Sequence, residues 1–568
     1  MSEVSSGEGS KCVRRDGRAF AHVSPLGISE FRRIWISSLF GNVALLIQGV
    51  GASWTMTELT SSPELVALVQ TALLMPVMLL SLAAGAAADM YDRRRVVLIA
   101  LGLCCMGAST LTLLTALGLA TPEVLLCGCF LIGSGMAFFS PSWQASAAEQ
   151  VPAALLSSAI SLNSISYNIA RSLGPAIGGA IVAVAGGVVA FGASAVLYLP
   201  LIAAFLAWRR TAEPARLAPE RLQWAIIAGL RYILHSPPVR TIIIRTFLTG
   251  FAGGSLSGLM PFVALNFLGG GAGTFGMLLG VTGVGAVSGA MTASRVRSRF
   301  TTEQLVRAGA AITGLCFLVV ALSRTALLTV PALFVIGAAW MIMVTVLNIS
   351  VQVTAPRWIA GRMLAGYQAA IAGGVATGSW FWGQLAAEAG VTASLLLSGA
   401  ATIAMAFIGT WLRMPAEERV SEGTGIKEPP DVGLALTGRS GPISIDVEYR
   451  VDPANARAFY TVMLEVRLIR KRNGAYDWSL CRDIAAPMLW IERFHYPTWA
   501  DYLRQRDRRT AAEEAFERDA LADIVEAGSM RVQRRLERPF GSVRWKEDTP
   551  DPGRGTMAIV PEGSGTNP

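Results

Sequence analysis

A loop near residue 90 has the residue types of a charge-operated latch. It reads Gly85-Ala-Ala-Ala-Asp89-Met-Tyr-Asp-Arg93-Arg94-Arg95, so a carboxylate at the end of an apolar run is followed by three guanidinium groups. An ion pair that forms in one conformation and breaks in another shifts the equilibrium between the two. Asp89 and the arginines that follow it have the opposite charges that such a pair needs, and Gly85 would allow a close helix contact beside them. The alternative is that these arginines only anchor the chain at a membrane surface.

A second motif lies inside a later apolar run. It reads Asn168-Ile-Ala-Arg171-Ser-Leu-Gly174-Pro175-Ala-Ile-Gly178-Gly179. Pro175 removes a backbone donor and is expected to bend the helix, and the three glycines let a neighbouring helix approach closely. The motif predicts a tight seal between two helices, with ordinary helix packing as the alternative.

A few polar side chains within the apolar runs are candidates for a substrate or proton site: Glu58, Arg171, Asn168 and Gln48. A charged group is costly in hydrocarbon and normally faces protein or a water-filled cavity. Arg171 also fits a structural role in which it binds backbone carbonyls. Glu58 fits a hydrated carboxylate at the membrane interface, and each amide fits a hydrogen bond between helices.

The composition excludes an ordinary soluble enzyme. Of the 568 residues 52% are hydrophobic and 15% are charged, and the charges separate apolar runs that are long enough to cross hydrocarbon. The net charge of +9 is spread over loops and builds no compact nucleic-acid surface. The seven Cys and three His have no metal-ligand spacing. We therefore expect a lipid-embedded protein without enzymatic activity, cofactor, metal or nucleic-acid partner.

The apolar runs indicate twelve spans, since each span needs about 20 apolar residues. Basic residues cluster in alternate loops, with Arg324 as the exception. Because basic loops stay in the cytoplasm, both termini are expected there. The membrane is expected to be the plasma membrane or the inner membrane of the cell. The expected spans lie near 33–57, 65–88, 96–118, 123–147, 156–184, 188–208, 241–267, 273–294, 304–323, 327–351, 363–387 and 391–412.

An internal repeat relates the two groups of six spans. Gly85 and Gly289 are 204 positions apart, and the same offset separates Gly133 from Gly337. Further pairs with this offset are Arg93 and Arg297, Pro152 and Pro356, Gly174 and Gly378, Gly179 and Gly383, and Gly186 and Gly390. A constant offset without gaps favours duplication of a six-helix unit.

Beyond Arg413 the sequence changes from apolar runs to a charged segment with alternating strand patterns at 443–451, 475–484 and 488–496 and helical patterns at 453–472 and 498–520. The predicted organisation is a cytoplasmic tail at 1–30, a six-helix bundle at 31–210, a central loop at 211–238, a second bundle at 239–413, a linker at 414–441, a cytoplasmic α+β domain at 442–540 and a disordered tail at 541–568.

The latch loop resembles the G-x-x-x-D-R-x-G-R-R signature of the major facilitator superfamily, with Met90 and Asp92 in place of the usual Arg and Gly. The resemblance implies that this loop is a cytoplasmic latch in which Asp89 accepts hydrogen bonds at a helix N-terminus and pairs with Arg93 or Arg362, beside Gly85 and Arg94. The glycine–proline motif resembles the G-P-x-x-G-G signature of exporters in that superfamily. The resemblance implies an all-α polytopic protein with two six-helix bundles that exports a siderophore, drug or metabolite, driven by a proton or ion gradient through antiport.

The α+β pattern of the C-terminal segment is similar to ferredoxin-like domains of the antibiotic-biosynthesis-monooxygenase group, which often pair through their sheets. Trp478, Trp490, His495 and Trp499 fit core or sheet-face positions better than a catalytic pocket. We therefore expect a dimerisation or sensing module, with a homodimer formed through this domain. The two alternatives are a membrane sensor or scaffold that works through this domain, and an importer of nutrients.

Overall fold

The computed structural model describes residues 24–152, 155–208, 222–415, 430, 432–434 and 436–537. The predicted disordered tail at 541–568 and most of the predicted tail at 1–30 and linker at 414–441 lie outside these residues. The chain divides into two compact units. The first is drawn from 1–226, 241–351 and 364–415, and the second from 227–240, 352–363 and 416–568.

Long apolar helices joined by short turns build the first unit. Their bounds are α1 Ser29–Leu59, α2 Pro63–Met90, α3 Arg93–Ala116, α4 Pro122–Gln150, α5 Leu156–Ala207, α7 Pro237–Phe262, α8 Ala272–Arg297, α9 Thr302–Leu322, α10 Ala326–Thr354, α11 Ala360–Ala389 and α12 Val391–Ile408. Among the described helices, ten are long and apolar enough to cross a membrane. The prediction of a helical, multi-pass membrane protein is confirmed.

Helix α5 contains two of the predicted spans. Gly186 has a φ of 76°, a left-handed value that separates a first arm at 156–185 from a second arm at 187–207. Helix α5 continues through Pro175 and loses its helical dihedral angles at Gly186, and the bend expected at Pro175 stays a prediction. Glycine can adopt this conformation without strain, whereas a helix interior can absorb a proline when neighbouring helices satisfy its backbone.

The internal repeat is visible in the packing of the two halves. Gly390 has a φ of 89° and lies 204 positions after Gly186, so both halves reverse the chain at the same point. In the first half the Ser194 hydroxyl donates to the Ala44 carbonyl at 2.9 Å, and in the second half Ser398 donates to Ala252 at 2.7 Å. Ser194 and Ser398 have the same offset, so both copies of the repeat use the same hydrogen bond between helices at this position.

The two halves meet through two pairs of helices. A side chain at Gly179 in the first arm of α5 would overlap the backbone of Gly276 in α8. Between α2 and α11, the Thr71 hydroxyl donates to the Ala376 carbonyl at 2.8 Å, and a methyl group at Gly85 would lie 3.2 Å from Ala365 Cβ. We call the helix ends that carry the arginine clusters the basic end, and the other ends the uncharged end.

The C-terminal part of the second unit is a four-stranded antiparallel sheet covered by helices. Its elements are β1 Ile443–Arg450, α13 Ala456–Arg472, β2 Tyr476–Arg482, β3 Leu489–Tyr496, α14 Trp499–Arg508, α15 Ala511–Ala522 and β4 Arg531–Leu536. The strand order β2-β3-β1-β4 is that of a ferredoxin-like βαββαβ domain. The single helix expected at 498–520 is wrong, because Thr510 begins a new helix with a capping box that includes Glu513.

A buried ion cluster joins the sheet to its covering helices. Glu492 of β3 is fully buried and accepts hydrogen bonds from Arg470 at 3.1 and 3.2 Å, from Tyr449 at 2.9 Å and from Trp478 at 2.9 Å. Arg470 is also bonded to Glu517 of α15. A buried carboxylate is tolerated when its charge and its lone pairs are satisfied in this way.

The open face of the sheet is charged. Asp446 of β1 is bonded on both sides, to Arg493 through two hydrogen bonds of 2.7 and 2.9 Å and to Arg535. The hydrogen bond from Arg493 is the main cause that lowers the pKa of Asp446. The stability contributed by this carboxylate is therefore present above its ordinary pKa and is lost as the pH falls through the lowered value.

Two segments from the transporter part of the chain belong to the second unit. Helix α6, Leu222–His235, brings the Arg231 guanidinium to 3.5 Å from the carbonyl oxygen of Gly474. Its neighbour Tyr232 is 4% exposed and packs edge-on against Trp358, which lies in the turn before α11. Burial, offset in part by Arg472, raises the pKa of Tyr232 to about 12. The C-terminal domain therefore contacts the segments that lead into α7 and α11.

Replacing Arg470 by Ala should destabilise the C-terminal domain by about 3–5 kcal/mol, because Glu492 would remain buried without its counter-charge. Hydrogen exchange of the β1 and β3 amides in the full-length protein measures the loss. Arg457→Ala changes an exposed Arg on the same helix and should stay within about 0.5 kcal/mol of the wild type. Equal protection in both variants would contradict the assigned role of the cluster.

Candidate functional site

An ion pair at the basic end connects the latch loop to α4. The Arg93 guanidinium donates to Glu149 Oε1 at 2.8 Å and to the Ala145 carbonyl at 3.0 Å, and its Nε donates to the Ala88 carbonyl at 3.1 Å. The side chains of Arg93 and Glu149 are 24% and 18% exposed, so the pair is partly shielded from water. Glu149 was not among the residues predicted from the sequence, although it is the acidic residue in the last turn of α4.

Asp89 does not lie where the sequence interpretation placed it. Helix α2 ends at Met90, so Asp89 is at a helix C-terminus, and the N-terminus of α3 is capped instead by Asp92, which accepts from the backbone N–H of Arg94 at 2.9 Å. A carboxylate is favoured at the N-terminal end of a helix, where backbone donors are free. The Asp89 side chain lies outside the described part of the structure, so its pairing with Arg93 or Arg362 stays a prediction.

Arg94 and Arg245 hold the last helix of each half at the basic end. Arg94 donates to the carbonyls of Phe205 and Leu206 at 2.8 and 2.6 Å, which fixes the end of α5. In the second half Arg245 is bonded to Glu303 and donates to the Leu412 carbonyl at 3.2 Å. Each bundle is therefore closed by an arginine that satisfies free carbonyls at a helix C-terminus.

The glycine–proline motif packs against two helices at once. Side chains at Gly174 and Gly178 would collide with Leu46 and Ile47 of α1, and a side chain at Gly179 would overlap Gly276 of α8. The Pro175 carbonyl lies on the α8 side, close to Gly276. The predicted close helix contact is present, and it joins α1 of the same half and α8 of the other half.

An aromatic contact closes the same region at the uncharged end. The Trp54 indole of α1 stacks on Phe275 of α8 with ring centroids 6.0 Å apart, and its Nε1 donates to Glu58 Oε1 at 2.7 Å. Glu58 is exposed at the end of α1 and orients the indole. The structure therefore associates Glu58 with the closure and does not bring it next to Arg171 at mid-span.

Arg171 lies at the crossing of α5 and α8. A methyl group at Gly283 of α8 would lie 2.5 Å from the Arg171 carbonyl oxygen. Leu173, on the opposite face of α5, is 53% exposed, whereas Arg171 is half-buried between the faces that contact α1 and α8. Asn168 is half-buried one turn earlier. Arg171 thus projects to the interior between the two halves.

Gln48 lies away from this interior. It is fully buried, and neither of its amide atoms has a hydrogen-bond partner. Its helical neighbours Ala44 and Gly51 pack against Ser194 and Ala190 of the second arm of α5, so Gln48 points into the first bundle. The structure therefore brings Asn168 and Arg171 together and separates Gln48 and Glu58 from them.

The site has no features of an enzyme in the part of the chain that the structure describes. Groups of three or more His, Cys, Asp or Glu that could hold a metal ion are absent from those residues. An apolar groove of 470 Å³ lies beside α5 and α8, but it is lined by Leu173, Met277 and Phe334 with Ser172 as its polar contribution. This groove therefore offers few hydrogen-bonding groups.

Comparison with known proteins agrees with a helical membrane transporter. A family profile described as "Transmembrane secretion effector" matches residues 20–539. The multidrug efflux pump Tap of Mycolicibacterium fortuitum is 27% identical over 363 residues, which cover 61% of this chain and 87% of that protein.

Two further relatives are named for siderophores. The staphyloferrin A transporter of Staphylococcus aureus is 28% identical over 44% of this chain, and the enterobactin exporter EntS of Shigella boydii is 26% identical over 47% of it. The chain spans less than two thirds of these two relatives, 62% and 63% of their lengths.

Solved structures confirm the fold. The D-xylose–proton symporter superposes with a TM-score of 0.56 at 15% identity, over 68% of this chain and 98% of that one. The nucleoside transporter NupG gives 0.56 at 13% identity, over 68% and 100%. At these identities the likeness concerns the helical transporter fold alone.

Breaking the Arg93–Glu149 pair should shift the balance between transporter conformations. Glu149→Gln removes the charge and keeps the shape, and a loss of about 1 kcal/mol would change the population ratio about fivefold. Spin labels on α4 and α11 at the basic end, read by pulsed electron resonance, measure the ratio. Restoration by the swapped pair Arg93→Glu with Glu149→Arg would support a latch, whereas an unchanged distance distribution in Glu149→Gln would contradict it.

Proposed function

The chain belongs to the transmembrane secretion effector family of multi-pass membrane transporters, and from this premise we infer that it is a secondary carrier that exports a small molecule. The observation that carries the inference is the glycine contact between α5 and α8, which joins the two halves from mid-span to the uncharged end. Export follows if substrate enters from the basic end and leaves after this contact opens. The names of the relatives, an efflux pump and two siderophore transporters, support this direction.

We further propose twelve membrane-spanning helices with both termini in the cytoplasm. Counting the two arms of α5 separately and adding α11 to the ten apolar helices supports the number. The arginine clusters at one end of the helices support the orientation, because basic loops are retained in the cytoplasm. The described conformation is then the one that is closed toward the outside.

The ion pairs at the basic end are proposed to act as the inner latch. Arg93 and Glu149 both belong to the first half, and their ion pair is proposed to position the loop so that Asp89 can pair with Arg362 of α11 in the conformation that is closed toward the cytoplasm. Such a contact biases alternating access, because it contributes free energy to one conformation and not to the other. A proton gradient is the proposed source of energy for the cycle.

Glu58 is assigned to the outer closure and not to proton coupling. A carboxylate accepts the Trp54 hydrogen bond more strongly than a neutral carboxylic acid does. The Trp54 indole that Glu58 orients stacks on Phe275 of α8, so this carboxylate supports the contact between α1 and α8.

A sensor or scaffold that acts through the C-terminal domain is the second candidate function. It is favoured by the contacts of Arg231 and Tyr232, because they place the segments before α7 and α11 in one unit with that domain. A homodimer formed through the open sheet face would need polar contacts, because this face is charged and groups such as Asp446 and Arg493 already pair within one chain.

Export is tested with everted membrane vesicles, an imposed proton gradient and two fluorescent probes, anionic carboxyfluorescein and cationic ethidium. The wild type should accumulate at least one probe, and Gly179→Ala should reduce the rate about tenfold or more, because overpacking at the helix contact costs about 1–3 kcal/mol. Gly273→Ala is the matched control on α8, where the added methyl group meets ordinary van der Waals space at 3.7 Å from Ala183.

A chain truncated after Arg413 separates the two candidate functions. A carrier should retain probe accumulation without the C-terminal domain, whereas a sensor would show no accumulation in either form. Absence of transport of both probes by the full chain, with normal membrane insertion, would contradict the export function. Equal rates for Gly179→Ala and Gly273→Ala would remove the helix contact from the mechanism.

A further inference from the structure

Arg171 is a charged group placed at the centre of a membrane-spanning helix. It lies fifteen positions after Leu156 and fifteen before the break at Gly186, so it is at the middle of the first arm of α5. Its side chain projects between the faces of α5 that contact α1 and α8, on the side opposite the exposed Leu173. A guanidinium group at this depth needs water or a negative partner.

The described residues of the first unit supply no negative partner for it. Every carboxylate of that unit whose side chain the structure describes is within two residues of a helix end, namely Glu30, Glu58, Glu64, Asp92, Glu123, Glu149, Glu303 and Glu388. Among the described residues Arg171 forms neither a hydrogen bond nor an ion pair, and its electrostatic neighbour is Tyr367 of α11. The Tyr367 hydroxyl donates to the Val344 carbonyl at 2.8 Å and is neutral, so it does not balance the charge.

The internal repeat shows that packing does not require an arginine at this position. The residue 204 positions later is Val375, which is 9% exposed and packs beside Gly250 of α7. The neighbouring glycines are the same in both copies, Gly174 with Gly378 and Gly179 with Gly383. The second copy of the repeat therefore packs with an apolar side chain at the position that corresponds to Arg171. The positive charge of Arg171 has no counterpart in the second copy.

We propose that Arg171 binds the transported molecule and that this molecule is an organic anion, with a carboxylate or another oxyanion group as its partner. The assignment rests on the proposed export function and adds the substrate class. Arg has a planar donor group that matches a carboxylate through two parallel hydrogen bonds. Because Arg171 belongs to one half and Tyr367 to the other, a bound anion would be held where the halves separate.

The membrane potential gives this assignment a direct consequence. A cell interior that is negative relative to the outside favours the outward movement of an anion. Export of an anion through this carrier should therefore speed up when a potassium diffusion potential is set negative on the side from which substrate is taken. In exchange for one proton a neutral substrate would respond less than an anion and a monovalent cation would not respond, so the potential should speed carboxyfluorescein export more than ethidium export.

Binding to the purified full-length protein tests the assignment. Carboxyfluorescein should bind with an anisotropy change that citrate competes away and that ethidium does not. Arg171→Gln should weaken carboxyfluorescein binding about 10- to 100-fold, because a charged hydrogen-bonded pair is lost. Arg171→Lys keeps the charge and should bind within about tenfold of the wild type, and Arg299→Gln, an exposed charge at the end of α8, should bind like the wild type.

The outcomes distinguish a failure of the anion assignment from a failure of the export function. Equal carboxyfluorescein binding by the wild type and Arg171→Gln would overturn the assignment. Vesicles that accumulate ethidium but not carboxyfluorescein would also overturn it, while the export function would stand. If Arg171→Gln does not fold, the comparison of anion and cation binding by the wild type and by Arg171→Lys decides, and preference for the cation contradicts the proposal.

Discussion

The backbone contact between the first arm of α5 and α8 is the interaction on which the rest of the structure depends. In hydrocarbon no hydrophobic force pulls two helices together, so their association rests on close packing and hydrogen bonds. Gly179 and Gly276 remove the side chains that would keep the helices apart, and their backbones touch. A contact made by glycine backbones is tight but has no interlocking side chains, so it can open and close again as a rigid surface.

The remaining features are placed around this contact. Trp54 and Phe275 close it at the uncharged end, and Arg171 lies at its inner end beside Gly283. The Arg93–Glu149 pair lies at the basic end of the first bundle. A binding group at the point where two halves part lets one bound molecule act on both conformations, as alternating access requires.

Much of this arrangement could be predicted from the sequence, because its causes are local. A helix that crosses hydrocarbon requires a long apolar run, so these runs predicted where the helices lie. The Gly174–Gly179 motif predicted a close contact between helices. The 204-residue offset predicted equivalent packing, which Gly186 and Gly390 confirm through their shared left-handed backbone. The alternating pattern at 443–451 likewise located β1.

The predictions that were wrong or missing concern contacts between residues that are distant in the sequence, or the assignment of a role to one of two neighbouring residues. Nothing local distinguishes Asp89 from Asp92 as the helix cap, and periodicity alone does not say that Gln48 faces the second arm of α5. Glu149 pairs with an arginine 56 positions earlier in the chain. Strand β4 was missed because half of its residues, in the sequence Arg-Val-Gln-Arg-Arg-Leu, are arginines and its apolar alternation is weak.

A reversible cross-link between α5 and α8 tests the central claim most directly. A side chain at Gly273 would place its Cβ 3.7 Å from the Cβ of Ala183, which suits a disulfide. In a protein without its native cysteines, Ala183→Cys with Gly273→Cys should transport when reduced, stop when oxidised and recover on reduction. Transport by the fully oxidised, cross-linked protein at the rate of the reduced form would contradict the claim that this contact must open.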